Sequence, residues 1–109
     1  MVITRFAPSP TGLMHIGGIR TALFAYAMAK HENGKFFLRI EDTDQKRFVE
    51  GAEEDIEAML TEYGLPYEEK FKQSERLEYY KEYAEKLIKS GDAYYCFSTV
   101  EEIAEMRKK

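Results

Sequence analysis

The chain has 109 residues, 44% of them hydrophobic and 33% charged, which predicts one globular domain and excludes an intrinsically disordered protein. Its net charge of −4 argues against a dedicated nucleic-acid-binding module, but residues 1–50 carry +2 and residues 51–109 carry −6, so an anionic ligand is expected to meet the first half. No apolar run approaches the roughly 20 residues of a membrane span, and the N-terminus lacks a signal peptide pattern, so we expect a cytoplasmic protein with no membrane partner.

The chain begins with the pattern of a strand, a loop and a helix. Residues 2–6 are β-branched and aromatic, which predicts a strand, and the Pro- and Gly-containing segment 7–12 predicts a loop. Residues 16–31 predict a helix, and its apolar positions surround most of its circumference, so we expect it to be heavily buried. The pair Asn33–Gly34 predicts the turn that ends this helix.

A second strand and a second helix follow that turn. Residues 35–40 predict a strand, and the acidic sequence Glu41-Asp-Thr-Asp44 comes directly after it. Residues 50–63 predict a helix with acidic side chains in its first turns, where the helix dipole favours them. Gly64 and Pro66 are typical of the end of such a helix.

The last third of the chain predicts two helices and one more strand. Ser74 is a candidate cap for a helix over 75–90, and residues 93–97 predict a third strand. Thr99 and Glu102 form the capping-box pattern of a final helix. This order of elements predicts an α/β protein with a parallel sheet, in which ligands bind beyond the carboxyl ends of the strands.

The sequence His15-Ile-Gly-Gly18 lies at such a strand end and at a helix start. Backbone N–H groups at a helix N-terminus attract phosphate, and glycines let a nucleotide approach the backbone closely. An imidazole there can donate a hydrogen bond to a phosphate oxygen as charge develops on it. Taken alone, a loop histidine followed by two turn glycines is the commoner interpretation.

Three motifs in order give the sequence a family resemblance. They are Arg5-Phe-Ala-Pro-Ser-Pro-Thr-Gly12, His15-Ile-Gly-Gly18 and Arg39-Ile-Glu-Asp-Thr-Asp44. Together they closely resemble the start of bacterial glutamyl-tRNA synthetases, which are class I aminoacyl-tRNA synthetases, and the resemblance continues through Gln73-Ser-Glu-Arg76 and Gly91-Asp-Ala-Tyr94. It implies the first half of the Rossmann-like parallel-sheet nucleotide-binding fold of that class. It also implies ATP-dependent activation of L-glutamate to glutamyl-adenylate, and transfer to the 3′ end of tRNA(Glu).

The resemblance also assigns roles to individual residues. In the family the residues matching Arg5 and Ser9 contact the glutamate substrate, and the residue matching Glu41 lies in the same pocket, where it can accept from the substrate ammonium. The implied glutamate-binding set is Arg5, Ala7, Ser9 and Glu41. The implied catalytic set is His15, Gly17 and Gly18. The implied ATP-binding loop contains Pro8, Ser9, Pro10, Thr11, Gly12, His15 and Gly17. ATP is expected as a substrate together with Mg²⁺.

Other functions remain as alternatives. The glutamyl-queuosine tRNA(Asp) synthetase shares the Ala-Pro-Ser-Pro sequence, but Thr43 favours the true glutamyl-tRNA synthetase. A small nucleotidyltransferase with a His-x-Gly-His motif is disfavoured by Gly18. A non-catalytic module that binds tRNA or a protein partner is the third alternative.

The sequence departs from the family pattern in two ways. Some members carry a zinc site that begins Cys-x-Cys, whereas this chain has Cys96-Phe-Ser98, so we expect neither zinc nor another metal site. The family also continues well beyond residue 109. We therefore expect residues 1–109 to be the N-terminal half of the catalytic domain, with the acceptor-stem insertion starting after about residue 98. Without the second half and the anticodon-binding domains, we expect tRNA charging to be impaired. We also expect the chain to self-associate.

Overall fold

The structure is a computed structural model that describes residues 1–108 and forms two units, one over Met1–Arg76 and a second that starts at Leu77. The first unit contains, in chain order, β1 (Ile3–Phe6), α1 (Ile16–His31), β2 (Lys35–Ile40), α2 (Ala52–Glu62), β3 (Lys70–Lys72) and a 3₁₀ turn (Ser74–Arg76). The strands form one parallel sheet in the order β1-β2-β3. The predicted parallel α/β architecture is confirmed.

The core of the first unit is built on the central strand, β2. Phe36, Leu38 and Ile40 alternate along it and are completely buried, as the two-residue period of a strand requires. They belong to one cluster with side chains of both helices, including Ala22 and Ala29 of α1 and Ile56 and Leu60 of α2. Burial of each large apolar side chain contributes about 1.5–3 kcal/mol, so the sheet and the two helices fold as one unit.

The prediction that α1 is heavily buried around its circumference was wrong. Ile19, Ala22 and Ala29 are buried, whereas Leu23 and Phe24 are exposed. An apolar pattern shows which positions of a helix are hydrophobic, but it does not show whether another element covers them. Here α1 packs against β1 and β2 with one face only. Self-association through the exposed side chains stays a prediction.

The third strand lies elsewhere than the sequence predicts. Residues 93–97 form neither helix nor strand, and the third strand is instead β3, with Arg39 aligned to Phe71. The sequence Lys70-Phe-Lys72 lacks the length and the β-branched residues of a recognisable strand. Its lysines form ion pairs with glutamates of α2. These contacts are distant in sequence, so the strand propensity of the segment cannot predict them.

An ion-pair network connects β3 to α2. Lys70 Nζ lies 2.6 Å from Glu57 Oε1 and 3.1 Å from Glu53 Oε1, and Lys72 Nζ lies 2.7 Å from Glu53 Oε2. Partial burial raises the pKa of both glutamates, but hydrogen bonds from the lysines outweigh it and hold each pKa below the ordinary 4.5. The same contacts raise the pKa of Lys70.

We expect this network to make the fold sensitive to acid. Because the glutamate pKa values are lowered in the folded state, their stabilisation is complete above pH 4.5 and is lost as the pH falls through the lowered values. Glu53→Gln should reduce the free energy of unfolding at pH 7 and flatten its decline between about pH 5 and about pH 2. Urea unfolding across pH measures this, with Glu54→Gln, an exposed neighbour, as the control. Equal pH slopes in the two variants would refute the expectation.

The second unit consists of α3 (Leu77–Ser90) and α4 (Val100–Met106). The capping box of α4 is confirmed, because Thr99 Oγ1 accepts from the Glu102 N–H at 3.2 Å and Glu102 Oε2 accepts from the Thr99 N–H at 2.7 Å. The predicted cap of α3 was wrong: Ser74 begins the 3₁₀ turn, and its hydroxyl donates to Asp42 instead. None of the helices in residues 1–108 is long and apolar enough to cross a membrane.

Candidate functional site

A pocket of about 420 Å³ lies between the carboxyl end of β1 and the start of α1. The loop that joins these elements forms most of its wall, because two prolines and a glycine keep residues 7–12 out of regular structure. Predicted site residues and core side chains share the lining, which consists of Phe6, Pro8, Ser9, Thr11, Gly12, Leu13, Met14, His15, Gly18 and Ile56.

His15 caps the helix that faces this pocket. Its Nδ1 accepts a hydrogen bond from the Gly17 N–H at 3.1 Å, and its carbonyl oxygen accepts from the Gly18 N–H at 2.9 Å. A neutral imidazole whose Nδ1 is an acceptor carries its proton on Nε2. The exposed His15 ring therefore presents an N–H donor beside the positive end of the α1 dipole, which is an arrangement suited to an anion.

A side chain at position 17 would disturb this histidine cap. A Cβ at position 17 would lie 2.9 Å from Cε1 and 3.0 Å from Nδ1 of His15, so any side chain would displace the imidazole from its capping position. At Gly18 the nearest atom to such a Cβ is the flexible Met14 Sδ, at 2.8 Å. A side chain at either glycine would therefore require a neighbouring side chain to move, and at position 17 that neighbour is the histidine cap itself.

The end of the loop is held by α2. Asp55 Oδ2 accepts a hydrogen bond from the Met14 N–H at 2.7 Å, one residue before the histidine. Sequence reasoning missed this role, since acids in the first turn of a helix are already explained by the helix dipole. The two partners are 41 residues apart in the sequence, so no local sequence pattern indicates this hydrogen bond.

Arg5 and Glu41 form a second group, at the ends of β1 and β2. Side chains alternate along β1, so Arg5 lies on the opposite sheet face from the buried Phe6. Glu41 Oε1 lies 3.7 Å from Arg5 Nη1 and 3.4 Å from Arg39 Nε. Arg5 and Arg39 also line a cavity of about 290 Å³, together with Ile3, Thr4, Phe37, Phe71 and Arg76.

Backbone hydrogen bonds connect the loop of the first pocket to the segment that follows β2. The Glu41 N–H donates to the Pro8 carbonyl at 2.9 Å, and the Val49 N–H donates to the Pro10 carbonyl at 3.0 Å. Ser9 is exposed between the two bonded prolines, Ala7 is half-buried and Pro10 is buried. The predicted residues thus lie along one edge of the sheet, although Arg5 and Glu41 do not line the loop pocket.

Asp42 has an unexpected environment. Residues 41–44 taken alone predict a solvated turn, yet Asp42 is only 8% exposed. Its two carboxylate oxygens accept from the Ser74 N–H at 2.8 Å and the Ser74 hydroxyl at 2.7 Å. Burial raises the pKa of Asp42, but these hydrogen bonds outweigh it and hold the pKa below the ordinary range. The group is therefore an anion.

Comparison with known proteins gives consistent relatives. The family model for tRNA synthetases class I (E and Q), catalytic domain, matches residues 1–109. The chain is 56% identical to the glutamate–tRNA ligase of Christiangramia forsetii, over 98% of this chain and 23% of that protein. It is 53% identical to the glutamate–tRNA ligase of a Hydrogenobaculum species, over 100% of this chain and 24% of that protein. The chain thus spans about a quarter of the length of these relatives.

Solved structures of similar fold are also glutamate–tRNA ligases. A glutamate tRNA ligase from Elizabethkingia meningosepticum, crystallised in complex with its amino acid, is 44% identical with a TM-score of 0.86, over 98% of this chain and 23% of that one. The glutamate-tRNA synthetase of Elizabethkingia anophelis is also 44% identical, with a TM-score of 0.87 over the same shares. The predicted family and Rossmann-like fold are confirmed: this chain belongs to the class I tRNA synthetase (E and Q) catalytic-domain family.

Proposed function

We propose that this chain takes part in the ATP-dependent activation of L-glutamate to glutamyl-adenylate and in its transfer to the 3′ end of tRNA(Glu). The observation that carries the proposal is the hydrogen bond from the Glu41 N–H to the Pro8 carbonyl, because it joins the oppositely charged Arg5–Glu41 pair to the loop that leads into the His15-capped helix. The relatives named above are glutamate–tRNA ligases, which supports this function over the glutamyl-queuosine alternative.

Glutamate would bind at the second group of residues. The Arg5 guanidinium suits a carboxylate, to which it can donate two parallel charge-assisted hydrogen bonds. Glu41 is half-buried and carries the opposite charge, so it can accept from the substrate ammonium. Ser9 and Ala7 lie on the adjacent loop, where the Ser9 hydroxyl can complete the polar contacts.

ATP, as its magnesium complex, would bind along the loop pocket. Pro8, Ser9, Thr11 and Gly12 line this pocket together with His15 and Gly18 at the N-terminus of α1, which would face the phosphates. Gly17 would contribute through its hydrogen bond to the His15 ring. His15 Nε2–H would donate to a phosphate oxygen as the glutamate carboxylate attacks the α-phosphorus and pyrophosphate leaves. Both reactants would then lie at one sheet edge, as the reaction between them requires.

We expect the chain to bind a sulfamoyl analogue of glutamyl-adenylate, and Arg5→Ala to weaken that binding by about tenfold to a hundredfold. Loss of a hydrogen-bonded charged partner for a carboxylate has a cost of this size. Isothermal titration calorimetry measures both affinities. The matched control is Arg20→Ala, which removes an exposed arginine from α1. The proposal fails if the unaltered chain gives no binding, or if the two arginine variants bind equally.

Charging itself stays a prediction for this chain, as does an acceptor-stem insertion that starts after about residue 98. We expect the 109 residues alone to give severely reduced glutamate-dependent ATP–pyrophosphate exchange. Exchange at the rate of a full-length relative would show that this chain suffices for activation.

A further inference from the structure

Among residues 1–108, Asp42 is the one charged residue that is buried, with 8% of its surface exposed. A buried carboxylate is costly unless its oxygens are hydrogen-bonded, and here Ser74 donates to both of them. Neither the glutamate nor the ATP contacts described above use this side chain. Its burial therefore calls for a reason beyond direct substrate binding.

The Asp42–Ser74 contact fixes the chain on one side of Glu41. It connects the segment after β2 to the turn after β3, and the Gln73 N–H adds a bond to the Ile40 carbonyl at 2.9 Å. Gln45 Nε2 also donates to the Asp42 carbonyl, at 2.7 Å. Every backbone position from 40 to 42 thus takes part in a hydrogen bond.

The other side of Glu41 is fixed by the loop, through the bond from its N–H to the Pro8 carbonyl. Its carboxylate, in contrast, is half-exposed and lies between Arg5 and Arg39 at 3.7 and 3.4 Å. Contacts at these lengths do not by themselves fix a side chain. The position of this carboxylate therefore depends on the backbone that carries it.

We propose that Asp42 is a positioning residue for the amino-acid site: its contact with Ser74 holds Glu41 where it accepts from the ammonium group of the substrate. This inference rests on the proposed function and extends it to a residue that does not touch the substrate. Asp42 acts on the amine end of glutamate and not on the nucleotide.

The test compares two ligands. One is the sulfamoyl analogue of glutamyl-adenylate, and the other is its glutaryl counterpart, which lacks only the α-amino group. The unaltered chain should prefer the first by about tenfold or more, since Glu41 has an ammonium to pair with. Asp42→Ala should remove most of this preference while the affinity for the glutaryl ligand stays within about threefold. Asp44→Ala, an aspartate of the same segment paired with Arg47, is the matched control and should keep the preference.

Further variants separate positioning from folding and from charge. Asp42→Asn keeps an oxygen for the Ser74 N–H and offers an N–H to the Ser74 hydroxyl, so it should retain the preference. Ser74→Ala removes one of the two bonds and should give an intermediate loss; it also replaces Asp42→Ala as the test if that variant does not fold. In a Glu41→Gln background, Asp42→Ala should change the preference no further.

The outcomes are distinguishable. If the unaltered chain binds neither ligand, or binds both equally, the proposed function fails and this inference fails with it. If the unaltered chain shows the preference but Asp42→Ala and Ser74→Ala retain it, only the inference is overturned. An equal loss of affinity for both ligands would make Asp42 a purely structural residue, which also overturns the inference.

Discussion

Phe36→Ala should lower the free energy of unfolding by about 3–5 kcal/mol, the usual cost of truncating a buried phenylalanine. Phe36 is 0% exposed on the central strand, and its ring lies edge-on to Tyr26 with centroids 5.6 Å apart. Domains of this size have total stabilities of about 5–15 kcal/mol, so the variant should lose a large share of it. Urea unfolding followed by circular dichroism measures the change.

The control for this change is Phe24→Ala. Phe24 is 65% exposed on α1, where the Arg20 guanidinium carbon lies 5.8 Å from the centroid of its ring. Its truncation should cost under about 1 kcal/mol. Similar losses in the two variants would mean that β2 is not the centre of the core.

Gly34→Ala should destabilise the fold by about 1–3 kcal/mol, although alanine usually stabilises by restricting the unfolded chain. A Cβ at position 34 would collide with the carbonyl oxygen of Val2, and it would lie 2.9 Å from the carbonyl carbon. That oxygen accepts from the Lys35 N–H at 3.0 Å, where the pairing of β1 and β2 begins. A methyl group would therefore force the two strands apart at their start.

Gly12→Ala is the matched control for this prediction, since a Cβ there meets no atom within 4 Å. Urea midpoints of the two variants decide the matter. If the urea concentration at the midpoint is the same for Gly34→Ala as for Gly12→Ala, or higher, then β1 does not approach the turn as closely as the structure shows.

Local patterns predicted the first three elements well. The strand over 2–6, the helix over 16–31 and the strand over 35–40 appear within one residue of their predicted bounds, because strand composition, helix propensity and the Asn33–Gly34 turn agree there. Asn33 itself adopts the left-handed conformation of that turn, with φ of 51°.

The third strand shows where local patterns fail. Residues 93–97 have the composition of a strand, but strand propensity mostly measures how well side chains pack on a half-buried surface. Tyr94 and Phe97 are exposed. Lys70-Phe-Lys72 has a poor strand composition, but it pairs with β2. Ion pairs of its lysines with Glu53 and Glu57 of α2 stabilise this arrangement.

The candidate site was predictable as a set of residues but not as a geometry. The family resemblance implied the roles of His15, Arg5 and Glu41, and the chemistry of phosphate and amino-acid binding is consistent with those residue types. It could not show that Arg5 and His15 line two different pockets. Asp42 was missed because its partner is 32 residues away.

The proposed function requires the pocket lined by His15 and the pocket lined by Arg5 to be two walls of one glutamyl-adenylate site. The most direct test is the two-dimensional ¹⁵N–¹H NMR spectrum of the chain, recorded as the sulfamoyl analogue of glutamyl-adenylate is added. We expect amide shifts at Gly12 and Gly17 together with shifts at Arg5 and Glu41, and none at Gly91 in the second unit. Shifts confined to one wall, or spread equally over both units, would contradict it.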